Sequence, residues 1–183
     1  MELTDFIKVY DDVLTKEECY KCIQIFERGL ESEKKEYDTD HLKFTQYWIS
    51  GYTPFVNSIK TKMRKCHSDY RSCISERLDY PSIFPPKYVF EKFKIKKYIP
   101  ELKQEFCRHT DSTTLRTSKR FLSSLIYLND VEEGGQTAFN DVTIEAKEGR
   151  LILFPPLWMF PHAGKIPISN TKYILTTYLT YSV

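Results

Sequence analysis

Four histidines occur in the 183-residue chain, at 41, 67, 109 and 162, and they limit how a two-histidine metal site can be composed. His-x-Asp occurs twice, as His67-Ser68-Asp69 and His109-Thr110-Asp111. His67 falls in a segment of helical period, where side chains two apart point in different directions, and it reads as a surface residue of that helix. His109 closes the segment QEFCRH, where an extended backbone puts residues i and i+2 on one face. An imidazole nitrogen and a carboxylate oxygen can then converge on one ion. A third ligand from a distant strand would complete a two-histidine, one-carboxylate set, which leaves coordination positions of Fe(II) open for a co-substrate and O2. His162, after the apolar run RLILFPP, is the candidate. Taken singly, each histidine reads more readily as a packed core or surface side chain.

Lys172 follows His162 by ten residues and enters KYILTTYLTY. Alternation there places Lys172, Ile174 and Thr176 on one face and Tyr173, Leu175 and Thr177 on the other. If the first face lines an interior, the ammonium needs a carboxylate partner, because an unpaired buried charge is strongly disfavoured. A dicarboxylate co-substrate would supply one. If that face meets solvent, Lys172 is an ordinary surface residue.

The elements that must position these groups divide the chain. Thr15 and Glu18 form a capping-box pattern that opens an amphipathic helix to Leu30, with Cys19, Cys22, Ile23, Phe26 and Leu30 on one face. A polar stretch follows, and Thr53 and Pro54 then supply an N-cap and first-turn proline for a second helix. Its expected stripe is Phe55, Ile59, Met63, Cys66, Tyr70 and Cys73. From about Tyr88 the period changes to two in VFEKFKIKKY, FLSSLIYLND, QTAF, VTIEA, RLILF and KYILTTYLTY. Asn129-Asp130, Gly134-Gly135, Gly149 and Pro155-Pro156 punctuate these strands. Short strands with all helices on the N-terminal side indicate a β-sandwich or barrel carrying a helical layer.

Composition fits one globular domain over residues 1–183, with 41% hydrophobic and 28% charged residues and six glycines. A net charge of +2 gives no field that predicts nucleic acid or membrane binding. The basic side of the second helix, with Lys60, Lys62, Arg64 and Lys65, reads as a solvated face. No run is long enough for a membrane helix, and the start MELTDFIKVYDD lacks the layout of a secretory signal. Five scattered cysteines, Cys19, Cys22, Cys66, Cys73 and Cys107, suit a reducing compartment, so a soluble cytoplasmic protein is expected. Cys19-x-x-Cys22 has no second pair at zinc spacing and reads as helix packing.

The order His109-x-Asp111, Gly134-Gly135-x-Thr137, a buried strand, then His162 and a basic residue ten later resembles the prolyl 4-hydroxylase-like family of Fe(II)/2-oxoglutarate-dependent dioxygenases. The resemblance covers about Phe93 to Leu179 and includes HTDS, RFLSSLIYLNDVEEGGQTAF, KEGRLILFPP and PHAGKIPISNTKYILTTYL. It implies an α+β, mainly β fold: a double-stranded β-helix (jelly-roll) core over about 86–183, buttressed by N-terminal helices over about 1–85 packed on one sheet. It implies iron on His109, Asp111 and His162, the distal carboxylate of 2-oxoglutarate on Lys172, and further co-substrate contacts from Tyr98 and Thr176. O2 and ascorbate belong to the same chemistry, which hydroxylates a C–H bond and releases succinate and CO2. The implied substrate is a prolyl residue of a peptide or protein, approached between the irregular segments Glu31–Gly51 and Ser112–Lys119. Trp158 and Tyr127 could offer aromatic surface for proline, or could be core.

Two features depart from the family pattern. YIPELKQEFCRH carries a short insertion without the usual glycine, and Phe106 stands where many relatives have tyrosine. Nucleic acid is not the expected substrate, because the last strand lacks the paired arginines of the demethylase branch. A non-catalytic metal-binding jelly roll is the alternative outside enzymes, and other protein side chains or free amino acids are alternative substrates.

Overall fold

The structure, a computed structural model, describes residues 2–49 and 53–182. In chain order its regular elements are β1 (Lys8–Tyr10), α1 (Lys16–Arg28), β2 (Lys35–Asp38), β3 (Lys43–Trp48), α2 (Thr53–Leu78), β4 (Tyr88–Phe90) and β5 (Lys94–Tyr98). They continue with β6 (Phe106–His109), β7 (Arg120–Tyr127), β8 (Thr137–Ala138), β9 (Thr143–Ile144), β10 (Leu151–Phe154), β11 (His162–Gly164) and β12 (Lys172–Tyr181). The large sheet runs β1-β10-β7-β12-β5-β3-β2, with β4 also paired to β12. The small sheet runs β6-β11-β8-β9. The strand pairs are antiparallel, and the two sheets form the expected jelly roll.

Strict alternation on the large sheet sorts its residues into two cores. Ile95, Leu122, Ile126, Leu151, Leu153, Leu175 and Leu179 face the helices and join Cys19, Cys22, Phe26, Ile59 and Met63 in one cluster. Their neighbours Tyr98, Leu125, Tyr127, Ile152, Phe154 and Ile174 face inward and join Phe139 and Ile144 in a second. A strand buried on both faces needs this division, because successive side chains point to opposite sides. The helices therefore stiffen the large sheet from behind while its inner face stays free to carry the site.

The first helix is capped as the sequence predicts. Thr15 Oγ1 accepts from the Glu18 amide at 3.3 Å, and the Glu18 carboxylate accepts from the Thr15 amide at 2.9 Å. Such a cap stabilises by about 1 kcal/mol. Cys19 and Cys22 are buried free thiols in the helical core, as packing requires, and burial pushes the Cys19 thiol up to about 12. The helix ends at Arg28, two residues before the expected Leu30, which is 65% exposed.

Three expectations need correction. The segment Glu31–Gly51 is not one irregular loop: it holds β2 and β3, which extend the large sheet through β5. With β1 paired to β10, the N-terminal half contributes strands as well as helices. Tertiary pairing to an existing sheet edge decides such short strands more than local propensity does. The buried stripe of α2 is Val56, Ile59, Met63, His67, Tyr70 and Ile74, one residue away at several positions from the expected one. His67 is accordingly a core residue at 1% exposure, with Nε2 3.1 Å from Ser124 Oγ on β7, and not a surface residue. Nothing is described of the Thr53 side chain from which a cap is expected, and Gly51 lies outside the described residues. No helix among the described residues is long and apolar enough to cross a membrane.

Candidate active site

β6 and β11 are adjacent in the small sheet, and their register sets His109 directly opposite His162. The two rings lie 4.3 Å apart between centroids. Asp111, just past the end of β6, brings Oδ1 to 3.5 Å from His109 Nε2 and Oδ2 to 3.7 Å from His162 Nε2. One ligand atom from each of the three residues lies within 4.8 Å of the others, a grouping able to hold a metal ion.

The surrounding hydrogen bonds fix both imidazoles in the tautomer a metal needs. His109 Nδ1 is 2.9 Å from the Cys107 carbonyl, and His162 Nδ1 is 3.0 Å from the Phe160 carbonyl. A carbonyl only accepts, so each Nδ1 carries the hydrogen and each Nε2 turns its lone pair toward Asp111. Phe106 stacks on His109 at 3.5 Å with 4° between ring planes, covering one face of that imidazole. Its lack of a hydroxyl therefore leaves a packing role intact.

Asp111 is equally constrained. Tyr178 donates to Oδ1 at 2.8 Å, Ser123 donates to Oδ2 at 2.9 Å, and Arg120 Nη1 donates to the Asp111 backbone carbonyl at 2.8 Å. Arg120 is itself stacked on the Tyr178 ring at 3.8 Å and paired through two nitrogens to Glu91. Burial alone would push the Asp111 carboxyl up, but positive charge on His162 and His109, where those rings are protonated, and the Tyr178 hydroxyl hold it well below the usual carboxylate range. Burial pulls the His162 imidazole down, against the pull of Asp111, which favours the neutral ring.

The triad lines one end of a cavity between the sheets. Lys172, Ile174, Thr176 and Tyr178 all line it, as the alternation of β12 requires. Lys172 is 1% exposed. Its ammonium donates to the carbonyls of Gly135 at 3.0 Å and Lys165 at 3.3 Å, and burial pulls its pKa down to about 7. Gly135 has φ +72°, and a Cβ there would come within 3.3 Å of the Lys172 side chain, so the glycine lets the loop approach the lysine. Tyr98 stands opposite Lys172 in register on β5, with the ammonium 4.5 Å from its ring centroid. Thr176 Oγ1 is buried without a hydrogen-bond partner. An orphaned hydroxyl and an ammonium with no carboxylate, in one cavity with a His-Asp-His cluster, fit a bound dicarboxylate beside a metal ion.

The two aromatic residues offered for the substrate surface differ, Tyr127 lying in the core and Trp158 at the surface. Tyr127 is 0% exposed in the inner core, and its hydroxyl is spent on Thr137 Oγ1 at 2.6 Å and the Ile144 carbonyl at 3.1 Å. It offers no face to a substrate, because both its ring and its hydroxyl are already used. Trp158 is 77% exposed and does not line the cavity. Sequence reasoning missed Tyr178 and assigned nothing to Ser123. The signal was available for both, since Tyr178 shares the face of Lys172 and Ser123 shares the face of Leu125.

A family model described as the 2OG-Fe(II) oxygenase superfamily matches residues 93–180, the span that holds the triad and Lys172. No curated protein matches the chain. Among solved structures, the viral collagen prolyl hydroxylase of Paramecium Bursaria Chlorella virus-1 in its 2OG complex superposes with a TM-score of 0.73 at 23% identity, covering 97% of each chain. A Pseudomonas putida prolyl-4-hydroxylase gives 0.72 at 19% identity, over 97% of this chain and 94% of that one. A Trichoplax adhaerens prolyl hydroxylase, solved with a hypoxia inducible factor peptide, gives 0.72 at 19% identity, over 97% and 84%. These likenesses show a shared fold, and residues 93–180 are similar to the 2OG-Fe(II) oxygenase superfamily.

Proposed function

We propose that this protein is a dioxygenase that holds Fe(II) on His109, Asp111 and His162 and hydroxylates a prolyl residue of a peptide or protein. The observation that carries the reading is the meeting of three metal-ligand side chains, a buried ammonium and an orphaned hydroxyl in one cavity. Fe(II) with 2-oxoglutarate supplies the oxidising chemistry, in which O2 is consumed, one oxygen atom enters the substrate C–H bond, and succinate and CO2 leave.

The chain's own residues supply binding, aim and exclusion of water. Lys172 takes the distal carboxylate of 2-oxoglutarate through a charge-assisted hydrogen bond, Thr176 adds its free hydroxyl, and Tyr98 walls the same end. Tyr178, Ser123 and Arg120 fix the Asp111 carboxylate in one orientation, the support that metal-bound groups ordinarily need. The helical layer keeps the large sheet rigid, so these groups do not rearrange when ligands enter. Ascorbate is proposed as the reductant that keeps iron in the ferrous state.

The prolyl assignment draws on the likeness to prolyl hydroxylases of three different sources. The peptide would approach beside Ser112–Lys119, whose irregular backbone is knotted around Thr117, with Trp158 as an outer contact. A single-domain cytoplasmic enzyme is the matching proposal for the whole chain, in keeping with its five free cysteines. The deciding experiment measures succinate release with Fe(II), 2-oxoglutarate and ascorbate, with and without proline-rich peptides, and weighs the peptides by mass spectrometry. Stimulated turnover with one added oxygen on proline is expected. Iron-dependent turnover with no peptide modified rejects the prolyl substrate, and no succinate from folded, iron-loaded protein rejects the oxygenase.

A further inference from the structure

The reading above leaves one charge of the cavity without a task. Alternation along β5 turns Lys94, Lys96 and Tyr98 to the inner face while Ile95 joins the helical core. Lys96 stands opposite Ile174 on β12, one same-face step along β5 from the pair made by Tyr98 and Lys172. It lines the cavity at 7% exposure. Its ammonium lies 4.8 Å from the Phe44 ring centroid and 4.6 Å from that of Phe106. Among the described residues it has no carboxylate partner and no hydrogen-bond acceptor. Two ring faces replace only part of the hydration that an ammonium gives up on burial.

Lys96 also occupies a particular place. Its ammonium lies against Phe106, which stacks on His109, and along the sheet it is the diagonal neighbour of Lys172. It therefore stands between the metal ligands and the deep ammonium. Lys96 and Lys172 are diagonal neighbours across the paired strands β5 and β12, positions roughly 7–8 Å apart along the sheet, comparable to the span of a five-carbon dicarboxylate. Two ammoniums lining one cavity from such positions match the two carboxylates of one ligand in charge.

We propose that Lys96 is a second co-substrate-binding residue, which takes the carboxylate at the 2-oxoacid end while Lys172 takes the distal one. This rests on the 2-oxoglutarate reading and adds to it a consequence of this chain's own: the protein grips both ends of the co-substrate without needing the metal. Metal-free protein should then bind 2-oxoglutarate, and also glutarate, which has both carboxylates but no keto group to chelate an ion. A monocarboxylate of similar length should bind far more weakly.

The test is calorimetric titration of the full chain, stripped with a chelator, using 2-oxoglutarate, glutarate and butyrate, followed by 2-oxoglutarate with Mn(II) present. Lys96→Met keeps the length of the side chain and removes its charge, and Lys96→Gln serves where the first variant does not fold. The wild type is expected to bind both dicarboxylates without metal. Loss of the Lys96 charge should weaken that binding about tenfold or more, as removal of one charged hydrogen bond does. Metal-free affinity equal in wild type and variant overturns the proposal, as does a variant that weakens only a peptide substrate. If the wild type ignores 2-oxoglutarate even with Mn(II), the function itself is wrong; binding with Mn(II) that is indifferent to Lys96 refutes this inference alone.

Discussion

Tyr178 donates its hydroxyl hydrogen to Oδ1 of Asp111 at 2.8 Å, reaching from the central strand of the large sheet to the edge of the small one. With Ser123 on the other oxygen, the carboxylate is aimed by two donors. Tyr178→Phe removes one donor without opening a cavity. Metal affinity should fall about tenfold, the lower end of what loss of such support costs. Titration with Mn(II) would read this, and an unchanged affinity would show that Tyr178 does not orient the ligand.

Lys172→Met should separate metal from co-substrate. The ammonium sits on the carbonyls of Gly135 and Lys165, away from the triad, so Mn(II) affinity should hold while 2-oxoglutarate affinity drops about tenfold or more. The wild type should also show a pH dependence of a defined sign. Burial, with Lys96 adding to it, brings the Lys172 pKa to about 7 in the ligand-free cavity. A bound dianion requires the charged form, so 2-oxoglutarate affinity should decline as pH rises above 7. A variant with wild-type affinity would remove Lys172 from the site.

These residues were unequally legible in the sequence. The strand KYILTTYLTY has the limits its pattern predicts, Lys172–Tyr181, and alternation alone puts Lys172 and Thr176 on the cavity face. The same count would have delivered Tyr178, but its reach to Asp111 depends on the spacing of the two sheets, which no single strand encodes. In KFKIKKY the alternate lysines look like a solvated strand; only the placement of β5 between β12 and β3 turns Lys94 and Lys96 inward. The α2 stripe differs from its predicted register because His67, polar by type, is buried with Ile74 where the apolar pattern favours Cys66 and Cys73. KFTQYW lies among charged residues, and it becomes β3 through pairing with β5.

Metal binding should stabilise the folded chain through the triad alone. A ligand at 100 times its dissociation constant adds about 2.7 kcal/mol, which raises the thermal midpoint by about 5–10 °C for a chain of this length. Asp111→Ala and His162→Ala should abolish this Mn(II)-dependent rise while leaving a cooperative transition. A rise of full size in either variant would locate the ion elsewhere.

His67 makes a prediction about stability that does not involve the cavity. Its ring is buried between α2 and the large sheet, with Nε2 on Ser124 Oγ and Nδ1 without a partner. Burial, with Arg64 adding to it, pulls its pKa from 6.5 to about 4. In the unfolded chain the ring takes a proton near 6.5, whereas in the folded chain it resists protonation until about 4. The contribution is therefore complete above pH 6.5 and is lost progressively as pH falls toward 4, amounting to about 3 kcal/mol. His162 adds to the same acid-side loss, so the test is a comparison. Urea unfolding of wild type and His67→Gln between pH 7 and 4 should show a shallower decline in the variant, with His67→Leu as a second non-titrating replacement. Parallel declines in all three proteins would mean that His67 already carries its proton in the fold, and that the helix tolerates a charge against the sheet.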